Sequence, residues 1–336
     1  MEEKIKIYIG KRTRDILYKD MELFEFFKSG MTLNKNDFLN TLLANYFEAY
    51  QEVGNARYAA MKAKLREAGL KEHTAGEVAD EIMHMTKYSR NDPDGKYDVT
   101  MSLKPTKKTS DIIAYIQSTL LAHTSLSQYF RDLFEAYTAM PQDEREKIIF
   151  RDSYEKIRQA IAEDRMIYFI NRTTSKKIEH TVSPYSVASA KEELFNYVLC
   201  QQDGLPFTIR LSRISGVILL NRKRELAREN VACLKRMEQY GPQFLILQDR
   251  EICIRLSEEG IRQYQYRYVH RPETSRIEGN LYYFNCSENQ VMQYFSRFGR
   301  HAVIVYPEDL AEQMLVFHSS ARKAYQKELE KKEKPE

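Results

Sequence analysis

The chain has 336 residues, with 52 Lys and Arg against 48 Asp and Glu and a net charge of +4. That length suits about two to four domains with real cores, and 43 % apolar content argues against disorder. No run of about 18 apolar residues and no signal-peptide core occurs, so the expectation is a soluble, cytoplasmic protein with no membrane partner.

In chain order the first element is a strand, Lys4-Ile5-Lys6-Ile7-Tyr8-Ile9. Side chains alternate along a strand, so Ile5, Ile7 and Ile9 share one face and Lys4, Lys6 and Tyr8 the other. Ile16, Leu17, Leu23, Phe24 and Phe27, then Phe38, Leu42, Leu43 and Phe47, recur at helical spacing and predict two helices. The second helix carries Asn36-Asp37-Phe38-Leu39-Asn40. Residues 51–96 read as a helical insertion. Its helix formers from Tyr58 to Ala68 stop at Gly69, Thr74 and Glu77 have capping-box spacing, and Asn91-Asp92-Pro93-Asp94-Gly95 is a turn.

The opening pattern then returns. Asp98-Val99-Thr100-Met101-Ser102-Leu103 is a strand with Val99, Met101 and Leu103 on one face and Asp98, Thr100 and Ser102 on the other. Ile112, Ile113, Ile116 and Leu120, then Phe130, Leu133, Phe134 and Tyr137, predict two more helices. The second of these carries Ser127-Gln128-Tyr129-Phe130-Arg131, and Phe-Glu-Ala-Tyr ends the last helix of both units, at 47–50 and 134–137. Each strand–helix–helix unit is too small to bury its own apolar face, so two must pair, with each other or across chains. The paired form exposes a two-stranded ribbon, whose width fits a nucleic-acid major groove.

Residues 142–164 read as one connecting helix. Five short strands follow, at Met166–Ile170, Lys177–Val187, Leu194–Cys200, Pro206–Leu211 and Ile214–Leu220, the pattern of a small barrel. Between Arg210 and Arg236 stand Arg210, Arg213, Arg222, Lys223, Arg224, Arg228, Lys235 and Arg236 against Glu225 and Glu229 alone. Such a local excess attracts phosphates more than the net charge does. Tyr168, Phe169, Tyr185, Phe195, Tyr197 and Phe207 lie close by in sequence. Arginine forks beside aromatic faces suit single-stranded nucleic acid, although a barrel interior accounts for aromatics equally well.

From Phe244 the expected order is strand, helix, strand, strand, helix, strand, helix, a ferredoxin-like order. Ile252–Leu256 is a strand, Tyr264–Val269 and Asn280–Cys286 a pair, Ser287 a cap, and Ala302–Tyr306 the last strand. Tyr264, Tyr266, Tyr268, Tyr282 and Tyr283, with Arg262, Arg267, Arg271 and Arg276, suit a second nucleic-acid surface or a dimer interface. The Lys/Glu-rich tail after Arg322 reads as a solvated helix end.

Three resemblances rest on these residues. The repeated strand–helix–helix units resemble the ribbon-helix-helix family of DNA-binding domains, twice in one chain. That resemblance implies base contacts by Lys4, Lys6 and Tyr8 in the first unit and by Asp98, Thr100 and Ser102 in the second, with a phosphate at the N-terminus of the second helix. The middle segment resembles the WYL-domain family through Ile157-Arg158-Gln159-Ala160-Ile161, His180-Thr181-Val182-Ser183-Pro184-Tyr185 and Arg210-Leu211-Ser212-Arg213-Ile214. Asn196-Tyr197-Val198 stands where that family has its namesake Trp-Tyr-Leu; only Tyr197 is kept, and the chain has no Trp. The family implies an Sm-like barrel with a basic pocket for nucleic acid or another anion, and here Arg172, Arg210, Arg213, Tyr185 and Tyr197 are the candidates. The C-terminal segment resembles the extension that follows WYL domains and serves oligomerisation or regulation. The composite is similar to WYL accessory proteins of CRISPR systems, especially those accompanying type VI-D RNA-guided RNA nucleases. It implies a non-catalytic homodimer that binds single-stranded RNA and enhances an effector nuclease. The alternative is a transcription regulator whose ribbon reads duplex DNA and whose barrel senses a ligand.

The expected fold class is therefore α+β. Ribbon-helix-helix repeats occupy 1–140 with an insertion at 51–96, then a connecting helix at 141–164, an Sm-like barrel at 165–225 and a ferredoxin-like dimerisation domain at 226–336. Catalysis finds little support: there is no Walker loop, G-x-G-x-x-G, G-x-S-x-G or H-E-x-x-H. Cys200, Cys233, Cys253 and Cys286 lack C-x-x-C spacing and read as reduced core residues. Glu81 and His84 have the i, i+3 spacing of carboxylate-bundle ligands but no second such pair, so a surface pair is expected. Neither metal nor cofactor is expected.

Overall fold

The computed structural model describes residues 4–28, 30–88, 99–121, 124–172, 177–244 and 251–332. The expected turn at 91–95, Asp98, the side chain of His84 and residues 333–336 lie outside the described set. The chain is α+β and divides into two compact units, Met1–Tyr154 and Glu155–Glu336.

In the first unit β1 (Ile5–Ile9) pairs antiparallel with β2 (Val99–Leu103), Ile7 opposite Met101 and Tyr8 opposite Thr100. The two strands thus meet within one chain. Ile7, Ile9, Met101 and Leu103 are buried, while Lys6, Tyr8, Thr100 and Ser102 face outward. Each of those four apolar side chains contributes about 1.5–3 kcal/mol on leaving water, which anchors an otherwise marginal ribbon.

The covering helices are α1 (Lys11–Leu23), α2 (Lys35–Glu67), α4 (Lys107–Tyr115) and α5 (Leu126–Thr138); α3 (Glu72–Tyr88) lies between α2 and β2 in sequence. α2 does not end at Tyr50 but runs 33 residues, so the first part of the expected insertion is its continuation. Gly69, at φ +95, ends it: the amides of Gly69 and Leu70 return to the carbonyls of Arg66 and Leu65. α3 begins at Glu72, which places Thr74 inside the helix and not at its expected cap. α3 folds back with Ala75 and Ala79 fully buried, and Glu72 bridges Lys62 at 2.6 Å and Arg66 at 2.9 Å.

The internal repeat has a register the sequence obscures. Phe38, Leu39, Leu42, Leu43 and Tyr46 of α2 are buried in the same pattern as Tyr129, Phe130, Leu133, Phe134 and Tyr137 of α5. The matching Phe-Glu-Ala-Tyr tetrapeptides are one helical turn out of step. Tyr46, not Tyr50, is the counterpart of Tyr137, and their rings pack 6.2 Å apart. Each helix also grips the other unit's strand segment. Ser127 Oγ accepts from the Tyr8 amide at 3.1 Å, and Arg131 Nε donates to the Tyr8 carbonyl at 2.8 Å. Likewise Asn36 Oδ1 accepts from the Lys104 amide at 2.7 Å, and Asn40 Nδ2 donates to the Lys104 carbonyl at 3.0 Å.

The expected connecting helix is two, α6 (Gln142–Ile149) and α7 (Arg151–Ala162). α6 supplies Arg145, which donates to both carboxylate oxygens of buried Asp20 on α1 at 2.7 and 2.8 Å. Tyr137 of α5 donates to the same carboxylate at 2.9 Å. Burial, then the neighbouring Asp20 carboxylate, hold the Tyr137 hydroxyl well above the ordinary phenol range.

The second unit holds two sheets. The first contains β3 (Arg165–Asn171), β4 (Ile178–Ser189), β5 (Asn196–Gln202), β6 (Leu205–Arg210) and β7 (Ile214–Lys223), antiparallel in the order β6-β5-β4-β3-β7. Among the described strands β6 and β7 do not pair, so the sheet is open and not the closed barrel expected. Curvature comes from β4. Its residues 178–182 pair with β3 and residues 183–189 with β5, and the register shifts between Pro184 and Ser186. One 3-10 turn, Leu211–Arg213, joins β6 to β7. α8 (Arg228–Tyr240) packs Leu234 and Met237 against Leu199.

The second sheet and its helices are β8 (Ile252–Leu256), α9 (Glu258–Tyr266), β9 (Thr274–Glu278), β10 (Leu281–Phe284), α10 (Glu288–Phe295), β11 (Ala302–Tyr306) and α11 (Glu308–Lys332). The strands run antiparallel in the order β11-β8-β10-β9. The expected strand at Tyr264–Val269 is wrong. Ser257 caps α9 by accepting from the Gly260 amide, and Ile261 and Tyr264, three apart, pack on the core of Ile254, Phe284 and Phe295. Alternating tyrosines mimic a strand; the cap and the three-residue spacing decide for helix. The partner of β10 is β9. Among the described residues no helix is long and apolar enough to cross a membrane.

Candidate nucleic-acid interface

β6 passes through the 3-10 turn into β7, and β3 ends beside that turn. The Arg172 amide donates to the Arg213 carbonyl at 2.8 Å, so these two exposed arginines are neighbours. Arg210, the last residue of β6, stands opposite Tyr197 of β5. Its guanidinium carbon lies 3.2 Å from the ring centroid of buried Phe195, a cation–π contact that fixes the side chain. The Tyr197 hydroxyl donates to Glu193 at 2.8 Å. The fold therefore places Arg172, Arg210 and Arg213, with Tyr197 opposite Arg210, around the turn between β6 and β7.

Other sequence candidates fall elsewhere. Tyr185 packs against the small core of Leu199, Leu234 and Met237, and burial raises its hydroxyl above the ordinary range. Asn196, at the namesake position, is fully buried and accepts from Ser189 Oγ at 2.9 Å. His180 is stacked between Phe169 and Phe207, with ring centroids 5.1 Å away on each side. Lys4, Lys6 and Tyr8 are exposed in the first unit, the last two on the outward ribbon face.

Part of the long basic run is met by carboxylates. Arg224 donates to Asp164 at 2.6 Å and to the Pro184 carbonyl at 3.0 Å, and Lys223 reaches the same Asp164 at 3.4 Å. Arg222 lies 3.8 Å from Glu225. Hydrogen bonding from Arg224 lowers the Asp164 pKa. These three cations are structural neighbours of carboxylates, a pairing that sequence proximity cannot show for Asp164. Among the described residues no group of three or more His, Cys, Asp or Glu could hold a metal ion.

No protein-family model and no curated protein matches the chain. Among solved structures it is similar to one described as a CRISPR Cas-related protein, at 19 % identity and a TM-score of 0.69, over 98 % of this chain and 95 % of the other. That likeness shows a shared fold. A second structure, proteasome accessory factor B/C (PafBC) of Arthrobacter aurescens, covers 65 % of this chain and 36 % of its own at 15 % identity and a TM-score of 0.26, too low for any argument.

Proposed function

We propose that this chain is a non-catalytic accessory protein of a CRISPR system that binds single-stranded RNA and enhances an RNA-guided RNA nuclease. The observation that carries the RNA-binding part is the placement of Arg172, Arg210 and Arg213 around the turn between β6 and β7, with Tyr197 opposite Arg210. Guanidinium groups attract backbone phosphates, and aromatic rings beside them take up unstacked bases. The CRISPR context is supported by the similar structure, that of a CRISPR Cas-related protein. The bent five-stranded sheet, with β7 returning beside β3, agrees with an Sm-like architecture of the WYL kind, and the strand order of the second sheet agrees with a ferredoxin-like one. The ribbon formed by β1 and β2 agrees with a ribbon-helix-helix pseudo-dimer.

Homodimerisation belongs to the same reading. Val303 and Val305 of β11 and Leu315, Val316, Phe317 and Leu329 of α11 are all exposed. α11 carries Glu308, Asp309 and Glu312 at its start and Arg322, Lys323 and Lys327 further on. A second copy laid antiparallel along it sets acidic start against basic end. Sedimentation of the full chain at several concentrations tests this; a monomer throughout rejects it.

Filter binding against single-stranded RNA, duplex RNA and duplex DNA tests the main reading. Preference for single-stranded RNA supports it, and absent or indiscriminate binding rejects it. The second reading, a regulator whose ribbon reads duplex DNA, draws on the exposed Lys6, Tyr8, Thr100 and Ser102. It requires sequence-selective duplex binding that Lys6→Ala abolishes.

A further inference from the structure

Five arginines of the C-terminal sheet region fall into two groups. Arg262 is paired with Glu259 at 2.7 Å, and Arg276 with Glu251 at 3.0 Å and with Glu278. Arg267, Arg271 and Arg297 form no ion pair with any carboxylate among the described residues, and all three are exposed. Each lies instead by an aromatic ring. The guanidinium carbon of Arg267 is 5.8 Å from the Phe298 centroid, that of Arg271 5.4 Å from Tyr264, and that of Arg297 5.4 Å from Tyr294. Those rings belong to one cluster, Tyr264 and Tyr294 being 6.0 Å apart and Tyr294 and Phe298 5.3 Å. The three charges converge on the Tyr294 hydroxyl: burial pushes it up to about 12, while Arg271, Arg297 and Arg267 all pull it back.

On either side of Arg267 the chain presents Tyr266 and Tyr268, 78 % and 72 % exposed. The segment that carries them is fastened by hydrogen bonds. The Arg267 amide donates to the Gln263 carbonyl, Tyr294 donates to the Arg267 carbonyl, the Arg271 amide donates to the Tyr268 carbonyl, and Tyr264 donates to the Pro272 carbonyl. Two rings are thus held out into solvent at the end of α9 and just beyond it, beside three guanidinium groups that form no ion pair among the described residues.

We infer that this surface is a second contact for single-stranded nucleic acid, with Arg267, Arg271 and Arg297 meeting phosphates and Tyr266 and Tyr268 stacking on bases. Arginines without a carboxylate partner suit a polyanion, and solvent-exposed rings suit unstacked bases of any sequence. The inference rests on the RNA-binding reading and extends it to a ligand long enough to reach beyond the five-stranded sheet.

The test uses the full chain and a fluorescent oligouridylate of about 30 nucleotides, longer than the ~16 nucleotides one single-strand-binding fold occupies. The triple variant Arg267→Ala, Arg271→Ala, Arg297→Ala is expected to bind at least about tenfold more weakly. Its plot of log affinity against log salt should also flatten by about 2, since each phosphate contact on single strands contributes about 0.7. The double variant Tyr266→Ala, Tyr268→Ala should weaken binding with the salt slope unchanged, and both substitutions lie at exposed positions where folding is insensitive. If the parent binds RNA and neither variant alters affinity or slope, this inference fails while the RNA-binding reading stands. If the variants change only the sedimentation of the chain, the surface is a contact between copies and the inference fails. If the parent binds no single-stranded RNA, both readings fail together.

Discussion

The two units hold themselves together by different means. The first sets a carboxylate, a guanidinium and a phenol in its core, Asp20, Arg145 and Tyr137, and ties its repeats together with side-chain grips on opposite strand segments. The second fills its cores mainly with aliphatic and aromatic side chains, and its Arg224–Asp164 pair lies part-exposed at the periphery. A buried charge pair punishes the loss of either member, whereas a peripheral pair is screened and replaceable. The first unit is therefore brittle toward polar substitutions, and the second can commit arginines to binding.

Substitutions can break that contrast in order of size. Arg145→Ala strands Asp20 in the core and should cost about 3–5 kcal/mol in urea unfolding of the first unit; a loss below about 1 kcal/mol, the worth of an exposed pair, would remove the contrast. Arg210→Ala with Arg213→Ala should weaken single-stranded RNA binding at least about tenfold, as one lost stacking or charge contact of about 1–3 kcal/mol requires. Lys4→Ala with Lys6→Ala should weaken it less, and the reverse order in the same filter assay favours the duplex-reading regulator. Alkaline titration gives a smaller effect. The folded Tyr137 hydroxyl ionises well above its unfolded value, so its contribution is complete below about pH 10 and is lost as pH rises beyond it. Urea midpoints followed from neutral pH to above about pH 10 should fall less steeply in Tyr137→Phe than in the parent. The smallest effect belongs to Asp164→Asn, which should leave the midpoint of the second unit within error at neutral pH.

Alternation made the strands legible. Ile5 to Ile9, Val99 to Leu103 and all five strands of the curved sheet lie within about three residues of where side-chain period places them. Periodicity failed where two periods competed. Tyr264, Tyr266 and Tyr268 alternate like a strand, yet Ser257 and the Ile261–Tyr264 spacing make the segment helical up to Tyr266. The repeated tetrapeptide misled in the same way, because identical letters one turn apart face different neighbours. Distant pairings were invisible: Asp20 and Arg145 are 125 positions apart, and nothing local marks either as buried. Charge counting overstated the basic run, since Asp164 precedes β3 yet meets Lys223 and Arg224 at the far end of β7. Of the candidate site, Arg172, Arg210 and Arg213 fall around one turn with Tyr197 opposite Arg210, while Tyr185 went to a separate small core.

The ribbon of the first unit has one further consequence. When two identical chains each supply a strand, whatever the ribbon touches must be read the same way in both directions, so its target is a palindrome. Here both strands come from a single polypeptide, and their outward residues differ: Lys6 and Tyr8 on one, Thr100 and Ser102 on the other. Each half is free to drift on its own, and any surface it meets has a left and a right.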